Sequence, residues 1–168
     1  MVKKRIRVFG SVAGIAASAI VLATLVPASS QQAATTTKRV CEVNNTGFSK
    51  FIDVGKHGFS AGDYQLSSTP VYDTATGKRV ATDVVKITIV NRIGKRNARF
   101  ILDATLVFKA GRVTAYGPGL FSNFRKGINF AVTGGTGAYR LADGTAFAKN
   151  GLCRGKPGVH ITLNLTLQ

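Results

Sequence analysis

The sequence has few of the side chains from which catalytic and metal sites are usually built. It contains two histidines, two cysteines, 7 acidic residues and no tryptophan among its 168 residues. His57 and His160 give no metal-ligand spacing, and no combination of serine, histidine and aspartate suggests a catalytic triad. We therefore expect neither a metal site nor a cofactor.

A nucleotide-binding loop is also missing, although one segment looks like one at first. In "TGGTGAYR", Gly134 and Gly137 have the spacing of two glycines of a dinucleotide-binding fingerprint. Arg140, however, stands where the third glycine should be. Only 31 residues follow Gly137, and their apolar residues alternate, so a doubly wound domain does not fit. No Gly-Lys-Ser or Gly-Lys-Thr ending is present. The segment therefore predicts a glycine-rich turn between two strands.

The amino terminus carries the one long apolar run of the chain. Residues 1–28 carry four basic residues within the first seven positions, continue with "GSVAGIAASAIVLATLV" and end in small residues, which is the order of a secretory signal peptide. A membrane anchor is the alternative, because the run is nearly long enough to span a bilayer. The small residues favour cleavage after Ala28, with Ser30 as second choice. We predict a secreted protein with a polar linker at 29–38 and one domain at 39–168.

The predicted mature chain is strongly basic. Without the four basic residues of the signal peptide it has 19 Lys and Arg against 7 acidic residues, a net charge of +12. Such a charge attracts nucleic acid, anionic wall polymer or lipid headgroups, and it also keeps a protein soluble. The basic residues are scattered through predicted turns, with no nucleic-acid-binding motif. We expect a solvated basic surface with loose affinity for anionic polymers and no specific nucleic-acid partner.

After the linker, short alternating apolar stretches are separated by turn residues. Typical stretches are "VVKITIVN", "ARFILDATLVFK" and "HITLNLTL", and no long stretch has clean helical periodicity. In the last one, Ile161, Leu163 and Leu165 share one face and the polar residues between them share the other. About eight such stretches without helices predict an all-β sandwich or a closed barrel.

Two cysteines in an exported chain predict a disulfide between Cys41 and Cys153. Cys41 opens the first strand-like stretch, and Cys153 lies just before the last. Closing so long a loop stabilises a chain by about 4–5 kcal/mol in the chain-entropy account. The bond also implies that the first and last strands are neighbours, which favours the barrel.

Three segments together resemble a known barrel superfamily. They are, in chain order, "GDYQLSSTPVYD", "VTAYGPG" and "FAVTGGTGAYRLADGTAFAKN". From about Val40 to Leu167 the sequence is similar to the superfamily that contains allene oxide cyclases and dirigent proteins. The resemblance implies an eight-stranded antiparallel barrel, often a homotrimer, whose apolar lumen holds a hydrophobic small molecule such as a lipid or phenolic. The cyclases close a fatty-acid epoxide beside a carboxylate, and the dirigent proteins steer the coupling of phenolic radicals.

The resemblance also suggests site residues. "VCEVNN" matches the glutamate and asparagine that the cyclases carry on their first strand with Glu42 and Asn44. A spacing of two puts both on one face of a strand and Cys41 on the other. In an apolar lumen the pKa of Glu42 would be raised, and it could act as an acid, a base or an electrostatic guide. A solvent-facing glutamate at a strand start is the alternative.

At other positions the sequence departs from the superfamily. In the ligand-binding positions of the plant cyclases, Thr69 replaces an asparagine, Ile87 a cysteine and Gly119 a tyrosine, and Asp143 stands where dirigent proteins have an arginine. Asp103 is a further candidate, either as a lumen acid or as a surface charge paired with a basic residue.

Two functions follow from these observations. The first is a cyclase, isomerase or stereochemical guide in which Glu42 supplies charge and Asn44 orients a water or a carbonyl group. The second is a non-catalytic carrier or surface-binding protein on the same scaffold. A lumen completely filled with side chains would exclude the first function, because it would leave no site for the reacting molecule.

Overall fold

The computed structural model describes residues 34–55, 57–93 and 97–167. This part of the chain is almost entirely strand, with one short 3₁₀ helix, Phe121–Arg125. The strands are β1 (Ala34–Val43), β2 (Phe48–Ile52), β3 (Tyr64–Asp73), β4 (Arg79–Arg92), β5 (Ala98–Phe108), β6 (Gly111–Leu120), β7 (Ile128–Gly137), β8 (Asp143–Cys153) and β9 (Lys156–Leu167). The predicted signal peptide and its cleavage site lie outside the described residues. Within the described ranges, no helix is long and apolar enough to cross a membrane.

The strands form one antiparallel sheet that closes on itself. The order of the strands is β1-β9-β8-β7-β6-β5-β4-β3-β2, and β1 also pairs with β3. This last pairing, residues 40–42 with 71–73, closes a barrel of eight strands. The extra strand, β2, continues along the same edge of β3 and pairs with residues 64–68. The predicted eight-stranded antiparallel barrel is confirmed.

The first strand begins earlier than the sequence predicts. Residues 34–38, predicted as the end of the polar linker, belong to β1 and pair with residues 163–167 of β9. Their side chains are mainly threonines, so no apolar alternation marks them as a strand. Instead, the backbone ladder and a hydrogen bond from Thr37 Oγ1 to Asn164 Oδ1 (3.0 Å) tie them to β9. The first and last strands are neighbours along the whole of β1, as the disulfide argument predicts.

The glycine-rich segment "TGGTGAY" ends β7 and turns the chain into β8. Gly137 has a φ of 60°, in the left-handed region that favours glycine. A Cβ on Gly135 would collide with the carbonyl oxygens of Arg112 and Tyr139. The glycines therefore let two backbone segments approach closely at a strand-to-strand connection, as predicted.

The predicted disulfide is present on the outer face of the barrel. The Cα atoms of Cys41 and Cys153 lie 5.6 Å apart, and both residues are buried beside Val43 and Tyr72. The bond joins β1 to the end of β8, although β9 lies between them in the sheet. Gly158 of β9 leaves room for it, because a Cβ there would stand 3.0 Å from the Cβ of Cys153.

One end of the barrel is filled by side chains. Leu163 and Leu165 of β9 and Val113 of β6 are fully buried there, and Leu106 of β5 packs with them in one core cluster. In the register of the sheet, Leu165 lies opposite Gly144 near the start of β8. Any space for a ligand therefore lies toward the opposite end, where β1 ends and β9 begins.

Candidate active site in the barrel lumen

The lumen keeps an open space because small side chains line part of its wall. Ala104, Ala115, Ala146 and Ala148 face the interior from β5, β6 and β8. An eight-stranded barrel is just wide enough for side chains to fill it or for one small ligand to bind. The cavity has a volume of about 330 Å³, within the range of small-molecule sites. The rest of its wall is largely apolar: Val85, Ile87, Leu102, Leu106, Phe130, Val159 and Ile161.

The mouth of this cavity lies where β1 ends. Asn45 has a φ of 58° and Gly47 a φ of 87°, and the chain bends here before it rejoins β3 as β2. A Cβ on Gly47 would collide with the carbonyl oxygen of Ser68. The bend is therefore specified by the sequence, and it brings polar side chains to the rim of the cavity: Asn44, Asn45, Thr46, Ser49 and Gln65.

Aromatic side chains of the 3₁₀ helix form an apolar wall at the same end. The ring centroids of Phe121 and Phe124 lie 4.6 and 5.7 Å from that of Phe100, and Phe124 also lines the cavity. The stack extends outward through Phe59, 5.9 Å from Phe121, and Phe51, 5.8 Å from Phe59. Apolar surface thus runs from the exterior of the barrel to its lumen.

Glu42 lies on the lumen side of β1, which is the face that the resemblance implies for it. Val40 is buried in the core, Glu42 lines the cavity, and Cys41 and Val43 lie in the cluster on the outer face. Burial raises the pKa of Glu42 to about 7, because the apolar surroundings disfavour the charged form. At neutral pH the group can therefore give or accept a proton.

Asp83 of β4 is a second lumen acid that the sequence analysis missed. Its side chain is 4% exposed and lines the cavity. In the register of the sheet it lies opposite Thr69 of β3 on one side and Leu106 of β5 on the other. Its Oδ1 atom is buried and has no hydrogen-bond partner among the described residues. Burying such a carboxylate oxygen costs free energy, and binding a proton or a donor group of a ligand offsets this cost.

Glu42 and Asp83 influence each other, and we call them the carboxyl pair. Burial raises the pKa of Asp83 well above its ordinary value, and the negative charge of Glu42 raises it further. A hydrogen bond from the backbone N–H of Val84 acts in the opposite direction. Because two neighbouring carboxylates in an apolar site resist double ionisation, the pair retains a proton around neutral pH.

The other residues suggested by the sequence lie at different places. Thr69 and Ile87 line the cavity, and Asn44 lies at its exposed mouth just beyond the end of β1. Gly119 lies under the ring of Phe100, with which a Cβ there would collide, so this position makes room for an aromatic side chain of the protein itself.

Asp103 lies on the outer face of the barrel. It is exposed, as is Tyr116 of β6 opposite it, and on its other side it lies opposite Lys86 of β4. Of the two alternatives for Asp103, the structure shows the surface position.

A sequence signal for Asp83 does exist. In "VATDVVKITIV" the buried residues Ala81, Val85 and Ile89 alternate on one face of β4, and Asp83 interrupts this apolar series. An acid within an otherwise apolar face indicates a lumen position or a strand end. Asp103 interrupts a strand in the same way, but β5 is apolar on both faces, so the pattern alone does not separate inside from outside.

The sequence matches no protein-family model, and no curated protein matches it significantly. Solved structures do match. Pyocyanin demethylase is similar with a TM-score of 0.60 and 24% identity, over 79% of this chain and 100% of that chain. The pterocarpan synthase dirigent protein PsPTS1 is similar with a TM-score of 0.62 and 14% identity, over 82% and 96%. The chain has the barrel fold of dirigent proteins and cyclases.

A third similar structure is a nonspecific heme-binding cyclase of neoabyssomicin biosynthesis, with a TM-score of 0.63 and 15% identity, over 84% of this chain and 70% of that chain. The resemblance predicted from the sequence is thus confirmed at the level of the fold. Because one fold supports many reactions, the activity has to be argued from the site itself.

Proposed function

We propose that this protein is an exported barrel that binds an apolar small molecule in its lumen and promotes an internal rearrangement, a cyclisation or an isomerisation. The observation that carries the proposal is the carboxyl pair inside a cavity with mainly apolar walls. The fold supports it, since dirigent proteins and a cyclase are among the similar structures.

The carboxyl pair suits a reaction that moves a proton within one molecule. With one carboxyl ionised and the other protonated, the first removes a proton from one atom of the ligand and the second donates a proton to another atom. The ligand then keeps its composition, and the pair is left with its proton on the other carboxyl. Thr69, opposite Asp83, places a hydroxyl group beside the reacting region. The apolar wall confines the conformation of the ligand, which lowers the entropic part of the barrier.

The binding part of this proposal is tested with a lumen-filling variant. Ala148→Phe places a ring in the cavity, whereas Ala131→Phe adds the same ring on the exposed face of β7. Small molecules that co-purify with the exported protein from its natural host are extracted and identified by mass spectrometry. We expect apolar compounds with the wild type and with Ala131→Phe, and their loss with Ala148→Phe. Equal recovery from both variants would place any bound compound outside the lumen.

The catalytic part is tested by removing both acids. Glu42→Gln combined with Asp83→Asn preserves shape and removes the transferable protons, so this variant should retain the unreacted compound while the wild type yields its isomer. The two compounds then have the same mass and different structures, which chromatography and NMR distinguish. Asp103→Asn, on the outer face, should behave like the wild type. An identical compound from all proteins would show a carrier and refute the catalytic role.

A further inference from the structure

We propose that the lumen selects ligands that carry a positively charged nitrogen, such as a protonated amine, on an apolar body, and that Asp83 binds this nitrogen. The inference rests on the proposed function, because it concerns the ligand of the same cavity, and it adds the chemical class that the cavity prefers.

The first observation is the reversal of charge between the chain and its lumen. The chain has 23 basic and 7 acidic residues. Among the described residues that line the cavity, however, two are acidic and none is basic. A lumen suited to a carboxylate ligand would be expected to offer an arginine or a lysine, since these are the residues that pair with carboxylates. The distribution of charge therefore opposes an anionic ligand and favours a cationic one.

The second observation is the unpartnered oxygen of Asp83. Asp83 lines the cavity with a side chain that is 4% exposed, and its buried Oδ1 atom has no donor from the described part of the protein. A buried carboxylate needs donors to offset the loss of water. A nitrogen cation of the ligand supplies both the donor and the opposite charge, and hydrogen bonds of this kind are stronger than neutral ones.

The described residues around Asp83 include no cation that could pair with its carboxylate. Thr69 faces it from β3, Leu106 from β5 and Glu42 from β1. Asn150 of β8 and Val159 of β9 line the same cavity. Glu42 is the one other titratable group among the described lining residues, and it is an acid as well.

Binding of a cation is therefore coupled to the loss of a proton. The nitrogen favours the ionised form of Asp83, so binding displaces one proton from the doubly protonated pair and leaves the other on Glu42. The affinity for a cation should rise with pH through about pH 7, with a slope of up to one proton. The affinity for a neutral ligand of the same shape should stay nearly constant.

Three naphthalene probes of similar shape test the inference: naphthylmethylamine as the cation, naphthylmethanol as the neutral form and naphthoate as the anion. Their binding to the purified exported protein is followed by fluorescence titration between about pH 6 and 8, on both sides of the pKa of Glu42. At the upper end we expect the amine to bind roughly tenfold more tightly than the alcohol, and naphthoate to bind most weakly.

Two variants assign the effect to the lumen. Asp83→Asn should lower the affinity for the amine to that for the alcohol and leave the alcohol unaffected. Asp103→Asn removes the same charge from the outer face and should change neither the affinity for the amine nor that for the alcohol. If Asp83→Asn does not fold, Glu42→Gln provides the same comparison and should weaken binding of the amine severalfold.

The outcomes separate this inference from the proposed function. Equal binding of amine and alcohol, or a preference that survives in Asp83→Asn and Glu42→Gln, would overturn the choice of a cation while a lumen for apolar ligands would stand. Failure of all three probes to bind would contradict both.

Discussion

Glu42→Gln should stabilise the protein at alkaline pH. Burial raises the pKa of Glu42 from 4.5 to about 7, so the folded state holds this proton more tightly than the unfolded state does. The contribution of Glu42 to the free energy of unfolding is therefore highest below about pH 4.5, decreases as the pH rises toward 7, and stays lower above it. Glutamine cannot ionise, so the variant lacks this decrease.

The size of the effect follows from the shift in pKa. A shift from 4.5 to about 7 corresponds to about 3 kcal/mol, at about 1.4 kcal/mol for each pH unit. Solvent at the mouth of the cavity reduces the cost of the charge, so we expect a gain of about 1–3 kcal/mol for Glu42→Gln at about pH 9. At about pH 4 both proteins carry an uncharged side chain here, and their stabilities should agree.

The assay is urea unfolding followed by circular dichroism at both pH values, with the disulfide intact. Asp103→Asn is the matched control, because it removes one negative charge from the exposed face of β5 and should change the stability by less than about 0.5 kcal/mol. A Glu42→Gln variant that is destabilised at alkaline pH, or changed equally at both pH values, would show that Glu42 is not held in an apolar lumen.

Three further predictions concern other parts of the chain. Replacing Cys41 and Cys153 together by alanine should lower the stability by up to about 4–5 kcal/mol, because the bond closes a loop of 112 residues; a urea midpoint equal to that of the wild type would contradict this. Asp63→Asn should lower the urea midpoint at neutral pH, because the Asp63 carboxylate accepts hydrogen bonds from the N–H groups of Val54 (2.9 Å) and Ser60 (2.5 Å). These bonds lower the pKa of Asp63, so the wild type should lose this advantage in acid, and a constant difference down to low pH would refute the assignment. Amino-terminal sequencing of exported protein should begin at Ser29, or at residue 31 if cleavage follows the second choice; material that still begins at Met1 would replace export with anchoring.

The barrel could be predicted from the sequence because its strands carry a strong local pattern. In β9, Ile161, Leu163 and Leu165 alternate with polar residues, and the structure buries all three. The two cysteines predicted in addition that the first and last strands are adjacent, which the alternation of apolar residues alone does not indicate. The beginning of β1 escaped prediction because residues 34–38 are held by their ladder with β9 and carry no pattern of their own.

The site could be predicted in part. The lumen position of Glu42 could be predicted because the resemblance matches it to the first strand and the alternation of side chains along β1 gives its face. Asp83 and Asp103 look alike in the sequence, as single acids in apolar strands, and the closure of the sheet decides that one faces the lumen and the other faces solvent. The position of Gly119 depends on the ring of Phe100, which lies nineteen residues away in the chain and is brought there by the pairing of β5 with β6.

The central claim, a carboxyl pair inside a largely apolar lumen, is tested most directly by titrating the carboxyl groups of the free protein by NMR. We expect Glu42 to titrate at about pH 7 and Asp83 well above its ordinary range, in coupled steps, while Asp63 and Asp73, whose pKa values are lowered by hydrogen bonds, titrate in the acid range. If Glu42 and Asp83 instead titrate in the acid range together with Asp63 and Asp73, both acids are solvated and the lumen site proposed here is wrong.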